Sequence, residues 1–217
     1  MNSRLQVSQV DVNIGQTRIL SGFSLDIQDG EMVGLIGRNG AGKSTLLRTI
    51  LGMLSVKNGD ITFKGKSLVG VAPYERARLG IGYMPEDRGL IGGLTVRQNL
   101  ALPVWARKLK DLDARLERVT AIVPELRELM ALPALTLSGG QQKLAALGRA
   151  IMCGDKLLML DEPFEGVSPV LSQRLIEAIG RARASGIAIL LAQSDRKGRE
   201  SDFDRFVKIE RGVNVFD

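Results

Sequence analysis

The sequence predicts an α/β fold, and three observations predict it. Apolar runs short enough to be buried strands, at 32–36, 156–160 and 187–192, alternate with segments whose apolar residues recur at helical spacing. A glycine-rich loop follows the first of these runs and opens a helix. The N-terminal 36 residues read as strands alone, which adds an antiparallel β part to the alternating core. At 217 residues the chain fits one domain, with about 100–200 residues being usual.

In chain order, strands are expected at 5–12, 18–28 and 31–36, separated by turns at Gly15-Gln16 and Asp29-Gly30. Leu46, Leu47, Ile50 and Leu51 then keep helical spacing, and a strand pair is expected at 59–64 and 79–84. The stretch from 95 to about 135 turns helical: Leu112, Leu116, Val119 and Val123 share a face until Pro124 stops the run. Leu144, Leu147, Gly148 and Ile151 line the next helix. Ser168-Pro169 reads as an N-cap with a first-turn proline, opening a helix that carries Leu171, Leu175, Ile176 and Ile179 inward and ends at Gly186. Strands at 187–192 and 205–209 close the chain. The expected division is one domain over 1–217, with a core from 1–85 and 137–217 and an inserted helical subdomain at 86–136.

Hydrophobic residues at 44% and charged residues at 25% exclude a disordered chain, a collagen and a pure coiled coil. No apolar run approaches the roughly 20 residues that span a bilayer. The start, MNSRLQVSQV, lacks a signal-peptide pattern, and the single Cys153 can form no internal disulfide, so a reducing cytosol is expected. The net charge of +6 comes from dispersed Lys and Arg with only 4% aromatics, so no nucleic-acid partner is expected. Histidine is absent, which removes histidine-based nucleophilic catalysis, histidine-ligated zinc and any imidazole base. Chemistry must come from carboxylates, hydroxyls, lysine, backbone amides or a hard metal ion.

Gly37-Arg38-Asn39-Gly40-Ala41-Gly42-Lys43-Ser44 satisfies G-x-x-x-x-G-K-S/T, in the strand–loop–helix context that phosphate binding needs. Its glycines let backbone amides turn toward phosphate oxygens, the helix adds its positive end, Lys43 reaches the β- and γ-phosphates, and Ser44 can coordinate Mg²⁺. Thr45 extends the same binding segment. The run at 157–163, LLMLDEP, sets two carboxylates at a strand end: Asp161 suits a Mg²⁺ role and Glu162 suits polarising an attacking water. Ser138, Gly139 and Gly140, followed by Gln141, open a helix whose first turn can offer a hydroxyl and amides to an anion.

The LSGGQ at 137–141, standing after the phosphate loop and before LLMLDEP, resembles the ATP-binding-cassette ATPases along essentially the whole chain. The resemblance implies ATP and Mg²⁺ as ligands. It implies head-to-tail pairing of two cassettes, so that the 37–45 loop of one and residues 138–141 of the other sandwich each ATP. It further implies membrane-spanning permease subunits facing the 86–136 region and the loop at 84–88, with a separate solute-binding protein beyond. GIGYMPEDRGL, LTVRQNL and LDEPFEGVSP resemble most the cassettes of branched-chain and other hydrophobic amino-acid importers, although sugar importers also carry a PEDR segment. The main rivals are a cassette ATPase acting on nucleic acid and a scaffold that binds ATP without hydrolysing it.

Four positions depart from the family pattern. Ile14 stands where an aromatic side chain usually stacks on adenine. Glu86 replaces a glutamine that contacts Mg²⁺. Ser168 stands at an expected aspartate, and Ser194 at the expected histidine, where it can still hydrogen-bond a γ-phosphate. These changes are compatible with pairing to a different cassette whose own phosphate loop lies in a more standard site.

Overall fold

The computed structural model describes residues 3–195 and 200–215. Two sheets build the frame. β1 (Ser3–Ile14), β2 (Thr17–Gln28), β4 (Asn58–Phe63) and the two-residue β5 (Lys66–Ser67) form an antiparallel sheet in the order β2-β1-β4-β5. β3 (Met32–Ile36), β6 (Ile81–Met84), β7 (Leu157–Asp161), β8 (Ala188–Gln193), β9 (Arg205–Glu210) and β10 (Val213–Val215) form the second, ordered β10-β9-β3-β8-β7-β6. All its pairs are parallel except β9 with β10. The helices are α1 (Lys43–Ile50), α2 (Pro73–Arg78), α3 (Val96–Ala106), α4 (Leu112–Ile122), α5 (Leu126–Leu129), α6 (Gly139–Cys153) and α7 (Pro169–Ala184).

Strand alternation sorts the core into two layers. Leu158, Leu160, Ile189 and Leu191 face α3–α7, whereas Leu157, Met159, Ala188 and Leu190 face α1 and the antiparallel sheet. Both faces of β7 and β8 are therefore covered, which explains why these strands read as unbroken apolar runs. Leu46, Leu47 and Ile50 of α1 fill one layer; Leu175, Ala178, Ile179 and Ala182 of α7 fill the other. Val96, Leu100, Leu116, Val119 and Leu126, from α3–α5, join that second layer against α6. Gly148 permits the approach: a Cβ there would stand 2.5 Å from Leu126 Cδ1. Among the described residues no helix is long and apolar enough to cross a membrane.

Most expected elements are present, with differences that have physical causes. The strands expected as a pair at 59–64 and 79–84 do not pair: β4 joins β1, while β6 joins β7. β4 alternates, with Ile61 and Phe63 buried and Asp60 and Thr62 partly exposed, as an antiparallel sheet covered on one face requires, whereas β6 is buried at Ile81, Gly82 and Met84 within the parallel sheet. α2 has too few residues to show a period, and Arg76 anchors it instead. That buried guanidinium donates to Thr49 O at 3.0 Å and Ile50 O at 2.8 Å, satisfying carbonyls at the end of α1. The expected 95–135 helical stretch is three α-helices and a 3₁₀ turn, Ala134–Thr136. In α7, Leu175 and Ile179 are buried as expected, while Leu171 and Ile176 are only partly covered.

Asp11 ties the antiparallel sheet together. Its carboxylate accepts from Asn58 Nδ2 at 2.9 Å, Arg18 at 2.5 Å and the Gly22 amide at 2.8 Å. These bonds, that of Asn58 foremost, hold its pKa down to about 2. A carboxylate depressed in the folded state stabilises fully above its unfolded pKa of about 4, and that contribution is lost as pH falls through the folded value. Thermal unfolding of wild type and Asp11→Asn between pH 2 and 6 should therefore show a wild-type advantage that shrinks below about pH 4. A pH-independent difference would contradict it.

Candidate active site

Parallel pairing gathers the candidate residues at one edge. β3, β6, β7 and β8 all end there, with Ile36 opposite Gln193, Asp161 opposite Ala192 and Met84 opposite Leu160. Residues 37–45 thus follow β3, Glu86 follows β6, Glu162 follows β7 and Ser194 follows β8. Ligands of open α/β sheets collect at this carboxyl edge.

The phosphate loop wraps the start of α1. Gly42 caps the helix at φ 112°, a left-handed value that would strain a side chain. Lys43, 5% exposed, folds back so that Nζ donates to Gly37 O at 2.5 Å and Arg38 O at 3.3 Å, and lies 3.1 Å from Glu162 Oε1. A cleft of about 420 Å³ opens over the loop, lined by Ile19, Asn39, Gly40, Gly42, Lys43, Ser44, Thr45, Glu86, Glu162 and Glu165. Gly37, Arg38, Ala41 and Ile14 do not line it. Ile14 is 50% exposed at the β1–β2 hairpin.

Asp161 is 1% exposed, and its Oδ1 is buried with no hydrogen-bond partner among the described residues. The Tyr83 phenol donates to Oδ2 at 3.1 Å. Burial raises the Asp161 pKa, opposed by the neighbouring Ser44 hydroxyl and Tyr83. Asp161 does not itself line the cleft, but its orphaned oxygen beside the Ser44 hydroxyl, which does line it together with Glu86, makes a hard oxygen donor set that suits Mg²⁺.

Glu162 takes a left-handed backbone, φ 47°, with its amide donating to Ala192 O at 2.9 Å. Its carboxylate is held from two sides. The Ser194 hydroxyl donates to Oε1 at 2.7 Å and the Ser194 amide to Oε2 at 3.3 Å, while Lys43 stands on Oε1. Asn39 Oδ1 lies 2.9 Å from the same Ser194 hydroxyl. Ser194, exposed at this edge, is thus hydrogen-bonded to Glu162 and lies beside Asn39.

Residues 138–141 lie apart from this cleft. Ser138 caps α6, accepting from the Gln141 amide at 3.3 Å, while Gln141 Oε1 accepts from the Ser138 amide at 2.9 Å. Ser138, Gly139, Gly140 and Gln141 line a separate cleft of about 600 Å³ that shares no residue with the first. Ser168 lines this second cleft and caps α7 through the Leu171 amide at 3.3 Å. Sequence reasoning missed Tyr83, Glu165 and Lys143. The last donates from α6 to backbone carbonyls around Glu162. The signal for Tyr83 was an aromatic residue one position before the end of a buried strand; Lys143 and Glu165 left none.

A phosphate loop on a parallel sheet, with an acidic pair at a nearby strand end, defines a P-loop ATPase. A family model described as ABC transporter matches residues 20–165, and the chain belongs to that family as an ATP-hydrolysing subunit. It is 36% identical over 208 residues, 96% of this chain and 89% of the relative, to the high-affinity branched-chain amino acid transport ATP-binding protein BraG of Pseudomonas aeruginosa. It is 31% identical to the lipopolysaccharide export system ATP-binding protein LptB of Haemophilus influenzae, over 85% of this chain and 76% of that one. Among solved structures, the ADP conformation of an ATP-binding cassette from an ABC transporter superposes with a TM-score of 0.86 at 26% identity, covering 99% of this chain and 90% of that one.

Ile14 offers an apolar surface without a π face. An Ile14→Tyr variant should bind ATP about 3–10-fold more tightly, the scale of one added ring stack, in a fluorescent-nucleotide displacement titration. Unchanged affinity would place adenine elsewhere.

Proposed function

We propose that the chain powers import of branched-chain or other hydrophobic amino acids, hydrolysing ATP at the cytoplasmic face of a membrane through permease subunits that it contacts with the 86–136 helical subdomain. The observation that carries the hydrolytic part is Glu162, fixed between Lys43 and Ser194 over the phosphate loop. Similarity to BraG, and to the probable branched-chain amino acid transport ATP-binding protein LivF of Archaeoglobus fulgidus at 30% identity over 88% of the chain, supports the choice of solute.

Lys43 holds the key exchange. Two loop carbonyls and Glu162 satisfy its ammonium; incoming β- and γ-phosphates compete for it with more charge. When Lys43 turns to the phosphates, Glu162 Oε1 loses that partner and can accept a proton contact from water in line with the γ-phosphate. Ser194 keeps the carboxylate aimed. Amides of 37–45 orient the phosphates, and Ile14 or Ile19 gives the base apolar contact. Ser44, Glu86 and Asp161 would hold Mg²⁺, which when bound offsets phosphate charge. In one chain residues 138–141 line a different cleft; on this reading the same residues of a second cassette, identical or different, complete the site.

A second reading, an ATP-binding scaffold with little turnover, is favoured by the serine at 194. Phosphate release from MgATP by the purified chain, beside Glu162→Gln, separates the two. Expected is wild-type turnover that falls about 100-fold or more in the variant, the usual scale for losing a general base, with ATP affinity kept. ATP binding without wild-type turnover would favour the scaffold or a heteromeric site.

For the solute, cells lacking this chain should lose high-affinity uptake of labelled leucine, isoleucine and valine while keeping that of ribose. Loss of ribose uptake alone would reverse the assignment.

A further inference from the structure

Beyond residues 138–141, the first turn of α6 bends inward and grips two loops. Gln142 Oε1 accepts from Arg88 at 2.6 Å, and Gln142 Nε2 donates to Ala134 O and Leu137 O, each at 3.2 Å. Arg88 belongs to the loop carrying Glu86, and Arg149, further along α6, donates to Gly89 O at 2.6 Å and Arg88 O at 3.2 Å. The helix is thereby tied to that loop.

The next residue, Lys143, reaches the other loop. It is 4% exposed, and its Nζ donates to Glu162 O at 3.1 Å, Pro163 O at 3.1 Å and Glu165 O at 2.5 Å. Three donors meet three carbonyls, the full capacity of an ammonium group. No neutral side chain of that length can offer as many.

The backbone that receives them needs support. Glu162 stands at φ 47°, a conformation that persists in a residue other than glycine only where its surroundings over-determine it. The Ala192 carbonyl fixes its amide, and Lys143 fixes the carbonyls on the other side. Burial lowers the Lys143 pKa and Arg88 adds to this, while Glu165, Glu162 and Glu86 draw it back. A cation kept in so enclosed a place has carbonyl geometry, rather than solubility, as its reason.

We propose that Lys143 is a positioning residue of this ATPase, acting on the Glu162 backbone as Ser194 acts on its carboxylate: it holds the Glu162 loop in register with the 37–45 loop, and ties it to the helical turn whose residues 138–141 meet the ATP of the opposing cassette. This rests on the reading of Glu162 as base. A push on residues 138–141 moves the start of α6, and Lys143 passes that displacement to the Glu162 backbone. The ammonium is spent on three backbone carbonyls and does not line the cleft over the phosphate loop, so its loss should slow the hydrolytic step and spare binding.

The test compares the full-length wild type with Lys143→Met and Lys143→Arg, measuring ATP affinity, kcat, KM, thermal midpoint and amide hydrogen exchange. In the Met variant kcat should fall roughly 10–100-fold, as slight misplacement of a reacting group does, with KM within about twofold. Exchange should quicken at 162–166 and stay unchanged at 37–45. The Arg variant, which keeps charge and donors, should recover most of kcat. Lys143→Gln replaces Met if that variant does not fold. An unchanged kcat overturns the proposal, as do KM, kcat and exchange at 37–45 moving together, the pattern of a core anchor. Should the wild type bind ATP without turning it over, the reading of Glu162 as base fails; Lys143 is then judged by exchange alone, and equal exchange at 162–166 overturns its role.

Discussion

Everything at the candidate site depends on β8 lying between β3 and β7. The register runs from Met32 opposite Ile189 to Ile36 opposite Gln193 on one side, and from Leu157 opposite Ala188 to Asp161 opposite Ala192 on the other. β8 therefore delivers Ser194 between the phosphate loop and Glu162. A slip of one residue in either ladder would turn each side chain to the opposite face and exchange the two core layers. Since both faces of β7 and β8 are apolar, what opposes such a slip is the distinct packing of each layer, Leu158, Leu160, Ile189 and Leu191 on one side and Leu157, Met159, Ala188 and Leu190 on the other, so the same residues that stabilise the fold fix the spacing of the chemistry.

Charge is then placed where the sheet leaves room for it. Lys43 and Lys143 are both buried, and each bonds to backbone carbonyls of a loop: Gly37 and Arg38 for the first, Glu162, Pro163 and Glu165 for the second. The two lysines approach Glu162 from opposite ends, one at the carboxylate and one at the backbone. Asp161 lies below with one oxygen on Tyr83 and the other without a partner. Buried ions with incomplete partners are costly, and such cost is tolerated where a ligand completes the set.

Legibility in the sequence followed chain separation. The segment 37–45, the pair Asp161-Glu162 and the turn at 138–141 were readable because phosphate loops, strand ends and helix caps use neighbouring residues, and the α/β alternation was readable from period alone. The helix cap at Ser168-Pro169 appears as expected, for the same reason. What stayed hidden acts across the fold. Tyr83 meets Asp161 only after β6 pairs with β7, Lys143 meets the Glu162 loop only after α6 packs on the sheet, and the partners of β4 and β6 are set only when each finds its sheet. Ser194 was located as a position, but its hydrogen bonds to Glu162 and its closeness to Asn39 belong to tertiary structure.

The serine at 194 changes what the site can control. An imidazole could carry charge to a phosphate; a hydroxyl and an amide can only orient, and here both orient Glu162. Oε2 is held by the Ser194 amide, while Oε1 is shared by the Ser194 hydroxyl and Lys43. Of these three contacts, only the one from Lys43 competes with phosphate binding, because only Lys43 carries the charge that phosphate attracts. On the proposed reading of Glu162 as base, its carboxylate is presented to water when the lysine is drawn away, and covered when it returns. A residue that merely orients is sufficient in such an arrangement, since the change between covered and presented is supplied by the substrate itself.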